Sequence, residues 1–141
     1  MKNIAIVYWS GTGNTEAMAN AVLEGVQTAQ AQGALFTPAE FSPELMDRFD
    51  AFAFGCPSMG VESLEDGEFE PMFQACEPKL AGKKLALFGS YGWGDGEWMR
   101  NWEDQCRGDG AELVCESVIC CEAPDDEATE NCRHLGAILA V

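Results

Sequence analysis

Short apolar runs alternate with longer amphipathic stretches along the whole chain. Residues 4–9 (IAIVYW) form a continuous apolar run of β-branched and aromatic side chains, the pattern of a strand buried on both faces. Residues 15–32 carry Met18, Val22, Val26 and Ala29 at helical spacing along one face. Residues 34–41 contain Pro38, which a central strand cannot accept, and so predict an edge strand. Residues 51–55 (AFAFG) repeat the buried pattern, and 68–76 predict a short helix that must begin close to Pro71. Residues 84–90 (KLALFGS) predict the next strand, and 97–107 a helix with Trp98 and Trp102 on one face. A last strand over 112–120 and a closing helix over 126–140, with Ala128, Cys132, Leu135 and Leu139 in line, complete the pattern.

Strands that alternate with helices imply parallel pairing and helices on both faces, an α/β three-layer α/β/α sandwich. Each crossover must be right-handed. No repeat, low-complexity tract or linker divides the chain, so residues 1–141 are read as one domain. In such open sheets ligands bind beyond the carboxyl ends of the strands. The loops that follow Trp9, Gly55 and Ser90 are therefore the ones to search for chemistry.

Composition narrows the field. The chain has 24 acidic residues against 8 Lys plus Arg, a formal charge of −16, yet 47% of it is hydrophobic, enough to build a core. An excess of carboxylates on this scale excludes nucleic acid as a partner, because phosphate backbones are bound by clustered Lys and Arg. It equally excludes docking on an anionic membrane. No apolar run approaches the roughly 18 residues of a membrane span, and the N-terminal run is too short for a signal peptide. A cytoplasmic protein is expected. Seven cysteines without a C-x-x-C pair, and one histidine, His134, give no zinc or dithiol pattern. Reduced cysteines acting as small apolar residues are expected.

The first loop reads Ser10-Gly11-Thr12-Gly13-Asn14-Thr15. It has neither the third glycine of a dinucleotide fingerprint nor the lysine of a Walker loop. Two glycines let the backbone wrap a small anion, while Ser10, Thr12, Thr15 and Asn14 add neutral donors beside a helix N-terminus. A phosphate held without a cation is the expectation. The second loop, Cys56-Pro57-Ser58-Met59-Gly60-Val61-Glu62, and the third, Ser90-Tyr91-Gly92-Trp93-Gly94-Asp95-Gly96, each set a large side chain among glycines. Met59 and Trp93 are suited to clamp a planar ring from opposite faces.

Taken together, the three loops resemble those of the flavodoxins. YWSGTGNTE at 8–16 is similar to that family's phosphate loop, and GCPSMGVE at 55–62 and FGSYGWGDG at 88–96 to its two flavin loops. The order matches, the resemblance spans essentially the whole chain, and it is closest to the short-chain branch with Met and Trp beside the flavin. It implies a flavodoxin-like five-stranded parallel sheet of order 2-1-3-4-5 and one non-covalently bound FMN. Ser10, Thr12, Asn14 and Thr15, with N–H groups of Gly11 and Gly13, would hold the phosphate. Met59 would cover the inner ring face and Trp93 the outer, with Ser58 and Gly94 completing the two ring loops. The Gly60–Val61 peptide would lie near N5 and Glu62 near N3, while Ser90, Tyr91 and Gly92 would line the ring and ribityl side. Two departures are visible. Val61 stands where relatives often carry a small or polar residue, and residues 121–124 (CEAP) where they often place an amide, so no site residue is carried over there.

The resemblance implies a low-potential one-electron carrier that shuttles electrons between a reductase and acceptor redox enzymes. It would not be a stand-alone catalyst. Glu62, Glu65, Asp66, Glu68 and Glu70 follow the second loop with no basic residue between Ser58 and Glu77, and Asp95 and Glu97 follow the third. One carboxylate ~10 Å from an anionic reduced ring, at an effective ε near 20, opposes it by ~1.5 kcal/mol, tens of millivolts. The same acidic surface suits redox partner proteins with basic docking faces, and a monomer is expected. The alternative, an FMN enzyme such as a quinone reductase, needs room over the flavin that Trp93 would fill.

Overall fold

The computed structural model describes residues 1–141. Strand β1 (Asn3–Tyr8) leads into helix α1 (Asn14–Thr28), and β2 (Gln32–Phe36) and β3 (Ala51–Gly55) precede the short helix α2 (Phe69–Cys76). Then follow β4 (Lys84–Tyr91), α3 (Glu97–Gly108), two short strands β5 (Glu112–Leu113) and β6 (Val118–Cys121), and α4 (Asp126–Leu139). Every strand pairing is parallel, in the order β2-β1-β3-β4-β5, with β6 also on β4. This is the expected 2-1-3-4-5 sheet.

Alternation along the central strands divides the core in two. Ala5, Val7, Phe52, Phe54, Leu85 and Leu87 face a cluster that includes Phe69 and Phe73 of α2 and Trp98 and Trp102 of α3. Ile4, Ile6, Ala51, Ala53, Ala86 and Phe88 face the other side, with Met18, Val22 and Val26 of α1 and Cys132, Leu135 and Leu139 of α4. The last two helices named touch backbone to backbone. A Cβ on Gly25 would stand 1.8 Å from the Arg133 carbonyl oxygen, and one on Gly136 2.1 Å from that of Val22. Only glycine fits at either place.

Two expectations are corrected, and one element is added. β2 ends at Phe36 because Pro38 opens a one-turn 3-10 helix, Pro38–Glu40, instead of extending the strand. Glu40 accepts the Thr37 N–H at 2.8 Å and fixes that turn. Residues 43–48 form a further 3-10 helix that no periodicity announced. The predicted last strand over 112–120 is split, since Ala86 and Leu87 of β4 are matched by the four residues 114–117 on the edge, between the Leu85↔Leu113 and Phe88↔Val118 pairs. The two extra residues bulge out of the ladder. All seven cysteines are free, and Cys56 is held as a thiol by burial, which pushes its pKa up to about 12.

Candidate functional site

The loops after β1, β3 and β4 converge at the carboxyl end of the sheet. In the first, Ser10 Oγ accepts the N–H of Gly13 at 3.1 Å and of Glu16 at 3.2 Å, which binds the turn to the start of α1. Gly13 is the N-cap, at φ 98, a conformation costly to any residue with a Cβ. The N–H groups of Gly11, Thr12, Asn14 and Thr15 have no protein acceptor. Thr15 is buried, and its hydroxyl shares a hydrogen bond of 3.1 Å with Ser90 of β4. That bond fixes the loop relative to the third one. The result is a ring of free N–H groups and hydroxyls beside the positive end of a helix, with no Lys or Arg at hand.

This cradle is one end of a cavity of about 230 Å³. Ser10, Gly11, Thr12, Asn14 and Thr15 line it from the first loop, Ser58 and Met59 from the second, and Ser90, Tyr91 and Gly92 from the third. Gly13, Gly60, Val61, Glu62, Trp93 and Gly94 do not line it. Gly13 lies instead on the outer side of the first loop, and the other five belong to the second and third loops, where Trp93 is 61% and Val61 87% exposed. Residues 59–63 make a tight hairpin. Met59 N–H bonds Ser63 O at 2.8 Å, Ser63 N–H returns to Met59 O at 2.9 Å, and Gly60 and Glu62 take φ values of 52 and 53. From that position the Glu62 carboxylate accepts the Glu97 N–H of α3 at 3.1 Å. A Cβ on Gly94 would stand 2.5 Å from this carboxylate, so glycine is what lets the second and third loops meet.

Three lining residues fall outside the expected set: Trp9, Pro57 and Glu122. Glu122, at φ 62, donates its N–H to Tyr91 O at 2.8 Å, and its carboxylate reaches over Gly92 of the third loop. Its position after a strand at the sheet's carboxyl end was the available signal. The acidic run is also more committed than its sequence shows. Glu65 accepts N–H bonds from Phe69, Glu68 and Gly67 at 2.7–2.8 Å, and Asp95 pairs with Arg100 at 3.0 Å. Burial alone would raise the Glu65 pKa, but these three bonds outweigh it and hold the group below the usual carboxylate range. A separate hollow of about 300 Å³ beside β6 and α4 is lined by exposed His134 and shares no residue with that cavity. No three His, Cys, Asp or Glu side chains are grouped to hold a metal ion.

A doubly wound parallel sheet with an uncharged anion cradle at its switch point, set between two ring-sized loops, defines a mononucleotide-binding α/β protein. The flavodoxin sequence profile matches residues 6–136, and the chain belongs to the flavodoxin family, the FMN-binding electron carriers. It is 44% identical to the flavodoxin of Megasphaera elsdenii over 140 residues, 97% of this chain and 98% of that one. It is 41% identical to the flavodoxin of Clostridium beijerinckii over 135 residues, 96% and 97% of the two chains. The solution structure of two-electron reduced M. elsdenii flavodoxin superposes with a TM-score of 0.90, covering 97% of this chain and 98% of that one at 45% identity. A flavodoxin from the domain Archaea, 24% identical, shares the fold with a TM-score of 0.84 over 98% and 96% of the two chains.

Proposed function

We propose that this chain is a low-potential carrier whose FMN phosphate is held by Ser10, Thr12, Asn14, Thr15 and the N–H groups of the first loop. FMN supplies the one-electron chemistry. The chain supplies position and field. The observation that carries this reading is the cradle itself, four free N–H groups and the adjacent hydroxyls facing one cavity without a cation. That donor set matches a phosphate, and with no side-chain cation to neutralise it the phosphate's own charge would add to the field that opposes an anionic reduced ring. A cavity of about 230 Å³ is smaller than the ~300–1,000 Å³ that encloses most ligands, so the ring system would extend into the gap between Met59 and Trp93. Ser58, Gly60, Val61, Glu62, Ser90, Tyr91, Gly92 and Gly94 would border it there.

Its redox partners dock through basic faces, the chain works as a monomeric single domain, and its place is the cytoplasm. The acidic loop end supports docking on basic faces, and no helix is long and apolar enough to cross a membrane. The test is a comparison of FMN with riboflavin, which lacks the phosphate. Thr12→Ala is expected to weaken FMN by about tenfold, the loss of one hydrogen bond to a charged group, and to leave riboflavin unchanged. Equal weakening of both ligands would overturn the assignment of this loop to the phosphate.

A further inference from the structure

We propose that Trp9 and Glu68 form a strut closing the back of the first loop. Glu68, outside the cofactor cavity, is then a positioning residue for the cofactor's phosphate. The proposal rests on the phosphate site described above. The Trp9 indole Nε1–H donates to Glu68 Oε1 at 3.1 Å, a bond between residues 59 apart in sequence. The ring lies against Gly11, where a Cβ would meet its Cη2 at 3.0 Å and its Cζ3 at 3.2 Å. Both ends of the strut are anchored through their backbones. Trp9 N–H bonds Gly55 O at 3.0 Å, and Glu68 N–H bonds the Glu65 carboxylate at 2.8 Å.

A support is needed at this point because the loop is a thin partition. Behind it runs an open trough of about 530 Å³ that reaches Glu16, Thr37 and Glu68. Trp9, Ser10, Gly11 and Thr12 line both that trough and the cofactor cavity. Besides the Ser10 bonds that tie the turn to α1, the indole and its bond to Glu68 are the contacts that oppose a backward swing of Gly11 and Thr12. Such a swing would carry their free N–H groups away from a phosphate.

The sign of the effect separates this role from a simple charge effect. A carboxylate that acted on the phosphate through its charge would repel it, and removing it would tighten FMN binding. A strut predicts the reverse. Apoprotein is titrated with FMN and with riboflavin for Glu68→Ala, Glu68→Gln, Trp9→Phe and the Trp9→Phe/Glu68→Ala double variant. Trp9→Phe removes the donor together with part of the ring surface over Gly11. Glu68→Ala and Trp9→Phe are each expected to weaken FMN about three- to tenfold without affecting riboflavin. The double variant should be no worse than either single one, and Glu68→Gln, which keeps an acceptor oxygen, should stay within about twofold of the parent. Tighter FMN binding by Glu68→Ala, or additive losses in the double variant, would overturn the strut. Thr12→Ala serves as the reference. If it fails to distinguish FMN from riboflavin, the phosphate site itself is misassigned. If it distinguishes them and the Trp9 and Glu68 variants do not, only the strut is wrong.

Discussion

At the tip of the 59–63 hairpin, Val61 is 87% exposed and keeps a negative φ, while Gly60 and Glu62 on either side are at 52 and 53. The left-handed positions are thus taken by a glycine, at little cost, and by a glutamate, at a cost of ~1 kcal/mol or more. Glu62 is held there by its bond to the Glu97 N–H. Val61 is β-branched and resists positive φ more than glycine does, so any rearrangement that turned this residue left-handed is disfavoured. Val61→Gly removes that resistance. The separation between the two FMN midpoint potentials is expected to change by ~40 mV, the one-electron equivalent of ~1 kcal/mol. Potentiometry on the parent and the variant measures it directly. Potentials that stay put in the variant would show that the hairpin does not turn at this residue.

Among the helices, α2 depends most on a single side chain. It has eight residues with Pro71 inside it, too short to persist on propensity, and the Glu65 carboxylate satisfies three N–H groups at its start. Glu65→Ala is expected to lower stability by about 1–2 kcal/mol at neutral pH. Because the folded-state pKa is depressed, this contribution is present above the ordinary value of 4.5 and is lost as pH falls through the lower folded-state value. Denaturant midpoints for parent and variant should differ at pH 7 and draw together in acid. A difference that is the same at both pH values would mean that Glu65 acts through packing and not through its charge. In sequence, Glu65 reads only as one carboxylate of an acidic run, because nothing in spacing shows which N–H groups will turn toward it. The strands and main helices are legible since buried runs and 3.6-residue stripes are properties of the sequence itself. The split of the edge strand is not, because it arises from the mismatch between residues 114–117 and the two residues opposite them on β4. The loops divide in the same way. Glycines and hydroxyls at strand ends mark the cradle, but Trp9 and Glu122 enter through contacts made across the fold.

Over the whole molecule, with its charge of −16, the unpaired cations are gathered at one end of the sheet. Of the eight basic residues, Lys79, Arg100, Arg107 and Arg133 are in ion pairs with acids, all on the surface. The other four, Lys2, Arg48, Lys83 and Lys84, lie just before or at the start of β1, β3 and β4, the amino end of the sheet. The carboxyl end, where the loops open, has Glu62, Asp66, Glu68 and Glu122 with no unpaired cation nearby. Such a distribution orients the site end toward a basic partner before contact. Orientation and net charge can be separated with two variants of equal charge. Asp66, exposed beside the loops, and Glu112, exposed at the start of β5, are each neutralised as Asp66→Asn and Glu112→Gln. At low ionic strength, electron transfer to a cationic acceptor should slow about twofold for Asp66→Asn, as expected for one charge ~10 Å away in water, and hold for Glu112→Gln. The two should converge toward one rate when salt shortens the screening length to a few ångströms. Equal slowing by both variants would mean that the acceptor responds to total charge alone, and that the polarity along the sheet has no part in docking.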